Sequence, residues 1–312
     1  MTIIQMEYLV AIDTYRHFAT AAEKCFVTQP TLSMQIQKLE EELGVKLFDR
    51  SKQPVVPTEI GVEVIRQART VLKDVIQIKE IVDNHKGTSS GELRLGIIPT
   101  LAPYLLPLFV DTFIKKYPEI KLKVTELTTE NLIQKLKNDL LDVGIVVTPL
   151  HDDQLIEQPM FYEEFVAFVS ENEKAYEKEY ILSEDIDLDH LWLLEEGHCF
   201  RSQILNICEL RKQTSQNRNF EYQAGSIETL RRMVDTSGGI TILPELSVLD
   251  FDTKQQKQIR YFKNPAPVRE VSIVTYRHYI KKGLIDTLKK EVLAAIPQKM
   301  LQNNKKEIIE IR

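Results

Sequence analysis

The stretch of this chain best equipped for chemistry is Gly197-His198-Cys199-Phe200-Arg201-Ser202-Gln203, with Cys208 nine positions beyond Cys199. Only three cysteines occur in 312 residues, and two of them fall within one turn and one helix of each other. A reducing compartment has little use for a structural disulfide, so a close pair points to metal binding or redox chemistry. Metal knuckles and thioredoxin-type pairs place two residues between their cysteines, a far shorter spacing. If Arg201 to Cys208 is helical, the two Cα atoms stand roughly 12 Å apart, whereas a disulfide needs about 7 Å or less. The thiols could therefore pair only if the backbone between them gave up its resting conformation, which is the logic of a redox switch. Cys208 also lies among Ile204, Leu205, Ile207 and Leu210 at near-helical spacing, and a free cysteine in that setting is most often a small core hydrophobe. Cys199 differs in kind. His198 precedes it, Arg201 follows two positions on, and it lies where a helix begins, so cation and helix N-terminus both favour the thiolate.

Composition narrows the class. Hydrophobic residues make up 43% and charged residues 28% of the chain, as in an ordinary globular protein. At 312 residues two or more domains are expected. The most apolar run, Leu93 to Val110, is cut by Arg94, Pro99, Pro103 and Pro107, so no membrane span is expected. The amino terminus carries an early acid and no basic run, so no signal peptide is expected and cytoplasm is the expected compartment. A net charge of −6 gives no overall basic footprint for nucleic acid, although a small reading head on an acidic sensor could carry that average. The six histidines are scattered, and no Gly-x-Ser-x-Gly, P-loop or metal-ligand spacing is present, so neither an enzyme nor a metal or cofactor is expected.

The amino-terminal elements suggest what the cysteine pair would control. Met6, Leu9, Val10 and Ile12 mark an amphipathic helix, and Ala19-Thr20-Ala21-Ala22-Glu23-Lys24-Cys25 a short one of small residues. Thr28 is placed to cap a third helix over Gln29 to Leu43, with Pro30 in its first turn and Gly44 ending it. Helix, tight turn and capped helix form either a DNA-reading helix-turn-helix or a plain helical hairpin. In the first case Gln29, Pro30, Thr31, Ser33 and Gln35 face base edges and phosphates. The run Ala19 to Glu23, Thr28-Gln29-Pro30-Thr31-Leu32-Ser33, Ile36, Leu39, Glu40, Leu43-Gly44, Leu47-Phe48 and Arg50 resembles the winged helix-turn-helix of LysR-type transcriptional regulators. By that resemblance Val55 to Thr58 is the return strand of the wing, with Arg50 and Lys52 available to the DNA backbone. Gln37 stands where many relatives carry a basic residue.

From Thr58 to His85, Val64, Ala68, Val71, Val75, Ile78 and Val82 follow a 4-3-4-3-4 spacing. That is the seam of a coiled coil and is assigned to dimerisation, with packing on the chain's own sensor domain as the alternative. Lys86 to Gly91 is small and polar, a hinge. Beyond it, strands at Leu93–Ile98, Lys121–Leu127 and Val143–Val147 alternate with helices at Tyr104–Lys116 and Asn131–Leu141, a βαβαβ pattern. Phe161 to Ser170 is expected to cross into a second lobe, and Gln298 to Arg312 to be an exposed tail. The fold class is therefore α/β: residues 1–58 a winged helix-turn-helix, 59–86 a linker helix, 87–91 a hinge, and 92–312 a two-lobed regulatory domain. Lobe I comprises 92–161 and 268–297, lobe II 162–267. Such a domain resembles the periplasmic-binding-protein-like effector domain of LysR regulators, which takes its signal in the interlobe cleft. Thr100 and Thr129, at strand ends, point to that cleft, with a helix N-cap the alternative for each.

Together with Ile98-Pro99-Thr100, Pro103 to Pro107 and Ser226 to Arg231, the cysteine segment resembles the peroxide-sensing branch of the LysR family. The resemblance implies that Cys199 is the peroxidatic thiol and Cys208 the resolving thiol of a reversible disulfide. It makes Thr100, Thr129 and His198 the groups that hold peroxide, and Arg201 the thiolate stabiliser. It also implies the partners: double-stranded DNA with an inverted-repeat operator, hydrogen peroxide, a homodimer or homotetramer, RNA polymerase and cellular thiol reductants, with no membrane. Ser202 stands where close relatives carry aspartate and Glu221 where some carry histidine, which bears on proton handling. Cys25 is expected to be buried packing. Two other readings are a LysR regulator answering a small metabolite in the cleft, and a thiol peroxidase. The attached DNA-reading head and dimer helix disfavour the peroxidase.

Overall fold

The computed structural model describes residues 1–85, 90–194, 199–207, 224–276, 281–302 and 307–309, with the side chains at 73, 76, 77, 79–85, 188 and 199 excepted. The chain forms two compact units that meet in sequence near residue 88. No helix among the described residues is long and apolar enough to cross a membrane.

In the first unit, local chemistry sets each boundary. Thr2 and Gln5 form a capping box that opens α1 (Ile3–Tyr15), and His17 caps α2 (Phe18–Lys24). The chain then turns through Phe26 at φ 57°, and Thr28 opens α3 (Gln29–Leu43), which Gly44 closes at φ 71°. β1 (Phe48–Asp49) and β2 (Val56–Pro57) form the two-stranded wing, and α4 spans Glu59–His85. Ala21 and Ala22 let α2 approach closely, and Leu9, Ile12, Leu32, Ile36, Leu39 and Leu47 complete the core. At Gly61 a Cβ would lie 2.1 Å from the Leu47 carbonyl oxygen, so only glycine lets α4 start against the wing.

The coiled-coil seam needs correction here. Ala68 is only 5% exposed and Ile65 3%, both covered by this unit's own core, and Val64, Val71 and Leu72 pack on the same cluster. Arg69 Nη2 donates to Asp13 Oδ2 at 2.8 Å, pinning α4 to α1. Periodicity records that a face is covered, not by what, and here α1 covers the first half. Val75 is half-buried and Ile78 is 64% exposed; the Val82 side chain lies outside the description.

In the second unit β3 (Gly91–Ile97), α5 (Ala102–Lys116), β4 (Ile120–Glu126), α6 (Thr129–Lys137) and β5 (Val143–Thr148) form a parallel βαβαβ. Gly91 pairs with Ile120 in this sheet and so is not part of a hinge; residues 86–89 lie outside the description. β6 (Leu155–Val169) is the crossing strand, and it starts six residues earlier than expected. Its first part pairs antiparallel with β11 (Pro267–Tyr276), which in turn pairs with β5. Its last part, Phe165–Val169, pairs with β9 (Ile240–Pro244). The second lobe adds β7 (Tyr180–Ile181), β8 (Leu191–Trp192), α7 (Cys199–Ile207), α8 (Ile227–Ser237), α9 (Thr253–Gln256) and β10 (Ile259–Phe262). The chain returns through β11 to α10 (Lys282–Ala295) and β12 (Glu307–Ile308). The expected α/β architecture is thus present, with winged helix-turn-helix, long helix and two lobes. The tail, however, is not an exposed appendage. Met300 is fully buried, Lys299 pairs with Glu245, and β12 joins β11 in parallel register.

One ion pair in this unit makes a pH prediction. Lys116 Nζ at 2.6 Å and Tyr117 Oη at 3.0 Å both donate to Glu291 Oε1 and hold its carboxyl below the usual range. A lowered carboxyl stabilises the fold above the ordinary carboxylate range and loses that contribution as pH falls through its folded value. Glu291→Gln is expected to flatten the fall in urea midpoint between pH 6 and pH 3.5.

Candidate functional site

Two regions carry the residues singled out above. On α3, Gln29 and Pro30 are exposed at the capped end, and Met34, Gln37 and Lys38 continue the open face. The other candidates are held more closely. Thr31 Oγ1 lies 2.9 Å from Thr28 Oγ1 in the cap, and Gln35 Oε1 accepts from Gln5 Nε2 at 3.3 Å, which draws it back toward α1. Arg50 Nη1 donates to Ser33 Oγ at 3.2 Å, Nη2 reaches Glu40 Oε2 at 3.4 Å, and the guanidinium covers the Phe18 ring. Arg50 is therefore tied to α3, whereas Lys52, 3.8 Å from Asp49, projects freely from the wing at 66% exposure. Glu40 is the buried acceptor behind Arg50, a role that its place in the sequence does not signal. Gln37 Nε2 donates to Glu41 Oε1 at 2.9 Å, a neutral contact on the exposed face. Gln37→Arg adds a cation there and is expected to steepen the salt dependence of operator binding by about one unit of slope. An unchanged slope would place residue 37 away from phosphate.

The second region lies where β6 crosses between lobes. Arg269 on β11 directly opposes Glu163 on β6. Both are buried, at 1% and 0% exposure of their side chains, and they meet at 2.7 Å. Arg269 Nη1 donates to Thr100 Oγ1 at 2.9 Å and Nη2 to the Thr100 carbonyl at 3.1 Å. The guanidinium also stands 5.3 Å from the centre of the Phe200 ring, which packs on Phe165. Glu163 uses its other oxygen to accept from the Leu246 amide at 2.8 Å. Burial pushes the Glu163 carboxyl up and Arg269 opposes that. Thr100, Arg269, Glu163 and Phe200 thus form one buried polar centre beside the start of α7. Of these, Arg269 and Glu163 were not foreseen.

The remaining candidates divide. Thr100 is no helix cap, since Leu101 holds that position for α5. Thr129 is the first residue of α6, behind Thr128 at the cap. Arg201, expected to stabilise a thiolate, directs Nη1 to the carbonyl of Leu194, two residues beyond β8, at 2.7 Å. Arg269 is the fully buried cation that meets this helix start, through Phe200. His198, Cys208 and Glu221 lie outside the described residues, as does the Cys199 side chain, although the Cys199 backbone opens α7. A helix from Cys199 to Ile207 rises about 12 Å between those Cα atoms. The helix alone is thus longer than the roughly 7 Å that a disulfide allows between Cα atoms, and residue 208 follows it outside the described residues. Cys25 is half-buried, and burial together with the Glu7 charge pushes its thiol up, against reactivity. Across the lobes, Tyr104 Oη donates to Glu228 Oε1 at 3.0 Å, and burial beside that carboxylate pushes the phenol up. Among the described residues no three His, Cys, Asp or Glu side chains gather as a metal site.

Residues 3–62 match the family described as bacterial regulatory helix-turn-helix protein, lysR family, and residues 86–293 match the LysR substrate binding domain. The chain is 38% identical over 276 residues to the hydrogen peroxide-inducible genes activator of Haemophilus influenzae, covering 88% of this chain and 90% of that one. It is 38% identical over 248 residues to the DNA-binding transcriptional dual regulator OxyR of Escherichia coli, covering 80% of each. A full-length OxyR variant from Pseudomonas aeruginosa superposes with a TM-score of 0.77 at 32% identity, covering 94% of this chain and 98% of that one.

Proposed function

The chain belongs to the LysR family of bacterial transcriptional regulators, and from that premise we propose that it is a peroxide-responsive regulator switched by Cys199 and Cys208. DNA binding through the helix-turn-helix comes with the family. The observation that carries the reading is the placement of α7, whose first residue is Cys199 and whose second, Phe200, lies against the buried Arg269 that also holds Thr100. A helix N-terminus and a desolvated guanidinium both favour a thiolate.

In the proposed reaction the Cys199 thiolate attacks one oxygen of hydrogen peroxide. The O–O bond breaks, and the departing oxygen takes a proton and leaves as water, giving a sulfenic acid. Because Arg269 donates into the Thr100 oxygen, the Thr100 hydroxyl proton is directed elsewhere and serves as a donor to peroxide; Thr129 and His198 complete the group. Cys208 then attacks the sulfenic sulfur, displacing a second water and forming the disulfide. Two thiols and one peroxide thus yield one disulfide and two waters, and cellular thiols reverse the step. Since an intact α7 forbids the bond, oxidation must remodel this segment.

On the DNA side, Gln29, Pro30, Thr31, Ser33 and Gln35 read an inverted-repeat operator, with Arg50 and Lys52 near the backbone. Val75, Ile78 and Val82 supply the homodimer contact, and pairs of dimers form the tetramer. Remodelling the sensor re-sets the register on DNA and the contact with RNA polymerase, inducing antioxidant genes. Alkylation mass spectrometry before and after micromolar peroxide tests the chemistry: a Cys199–Cys208 linkage is expected, with Cys25 unlinked. Footprinting tests the output, and Cys208→Ser protein should keep its reduced footprint under peroxide. Wild-type protein that ignored peroxide would favour a metabolite effector instead.

A further inference from the structure

Gln203 sits one turn into α7, is fully buried, and has no role in the chemistry just described. Its Nε2 donates to the main-chain carbonyl of Ile309 at 2.7 Å, across 106 positions of sequence. Its Oε1 accepts no hydrogen bond among the described residues. The carbonyl it meets is fixed on the other side. The Ile309 amide donates to the Val268 carbonyl at 2.9 Å, Glu307 and Ile308 pair with β11, and the Ile309 side chain packs on the second-lobe core. Upstream, Met300 is fully buried and Lys299 pairs with the buried Glu245, so the segment is anchored at both ends. Among the described residues, the carboxy-terminal segment thus joins β11 at Glu307 and Ile308 and meets the middle of α7 at Ile309.

We propose that Gln203 is the positioning residue of the redox helix, held by the carboxy-terminal strap, and that the pair sets how readily Cys199 and Cys208 join. The proposal rests on the two-cysteine reading. An intact α7 keeps the thiols apart, so the disulfide requires movement at the middle of the helix, where the strap bond lies. The Nε2 bond to the Ile309 carbonyl holds the middle of α7 in place. A leucine of similar length would leave the Ile309 carbonyl without this donor.

The test measures the intramolecular thiol–disulfide equilibrium of full-length protein in glutathione buffers, where the two thiols and oxidised glutathione give the protein disulfide and two reduced glutathiones. A chain ending at Gln302 keeps Lys299 and Met300 but loses β12 and the Ile309 carbonyl, and its equilibrium should move several-fold toward disulfide. Gln203→Leu removes the same bond from the helix side, so its equilibrium should also move several-fold toward disulfide. A purely structural role predicts lower melting temperatures with the equilibrium unchanged in both. If the shortened chain does not fold, Gln203→Leu alone decides, and a shift away from disulfide or no shift overturns the proposal. Wild-type protein that never forms the linkage would instead remove the underlying reading, and the proposal with it.

Discussion

Arg269→Met protein is expected to lose about 3–5 kcal/mol of stability, the usual consequence of stranding a buried charge. With a urea dependence of about 2–3 kcal/mol/M, that lowers the unfolding midpoint by more than about 1 M. The loss arises from Glu163, which is fully buried and whose 2.7 Å partner would be gone. Its carboxyl, already raised by burial, would rise further without the opposing guanidinium. The sign of the pH dependence follows: a carboxyl raised in the folded state stabilises least at high pH, so the variant should lose stability as pH rises above the ordinary carboxylate range. Adding Glu163→Gln removes the stranded charge and should restore most of the midpoint. It should not restore chemistry. Oxidation of Cys199, followed by rapid alkylation, is expected to slow about a hundredfold in both single and double variants, since the donor that fixes Thr100 is missing in each. A double variant that recovered both stability and rate would reduce Arg269 to a packing residue.

That centre was the least legible part of the sequence. Cys199, Thr100 and the start of α7 announce themselves through residue type and helix signals, which are local. Arg269 is a single cation in Pro267-Val268-Arg269-Glu270-Val271, and nothing nearby distinguishes it from a solvated strand residue. Its partner lies 106 positions away on β6, and the register that brings the two opposite is set by the whole sheet. The same division runs through the rest of the chain. Thr28, Pro30 and Gly44 fix the ends of α3 by backbone chemistry and were read correctly, whereas Thr128 and Thr129 are adjacent candidates for one cap. The stripe on α4 was visible, but a 3.5-residue period cannot tell an α1 neighbour from a second chain, so Ala68 was assigned to the wrong contact. The tail misled by composition: its polar residues outnumber Met300, Ile308 and Ile309, yet those three anchor it.

In the reading head the largest single effect is expected at Glu40. This carboxylate is buried at the back of α3, where Oε1 accepts from the amides of Leu47 and Phe48 at 2.9 and 3.4 Å and Oε2 meets Lys46 and Arg50 at 3.2 and 3.4 Å. It is the only side chain among the described residues shown joining the reading helix to both amides that enter the wing. Glu40→Ala leaves two buried amides without an acceptor, at about 1–3 kcal/mol each, and should cost both stability and operator affinity. Glu40→Gln separates the two. An amide oxygen can still cap Leu47 and Phe48, but Arg50 loses its charged partner and keeps only Ser33 and the Phe18 ring. A guanidinium released toward the DNA backbone would add a phosphate contact, so operator binding by Glu40→Gln should steepen by about 0.9 in its logarithmic salt slope while the melting temperature falls less than in Glu40→Ala. A slope that stays flat with affinity reduced would mean that Arg50 works from its place on α3, ordering Ser33 for the groove rather than touching phosphate itself.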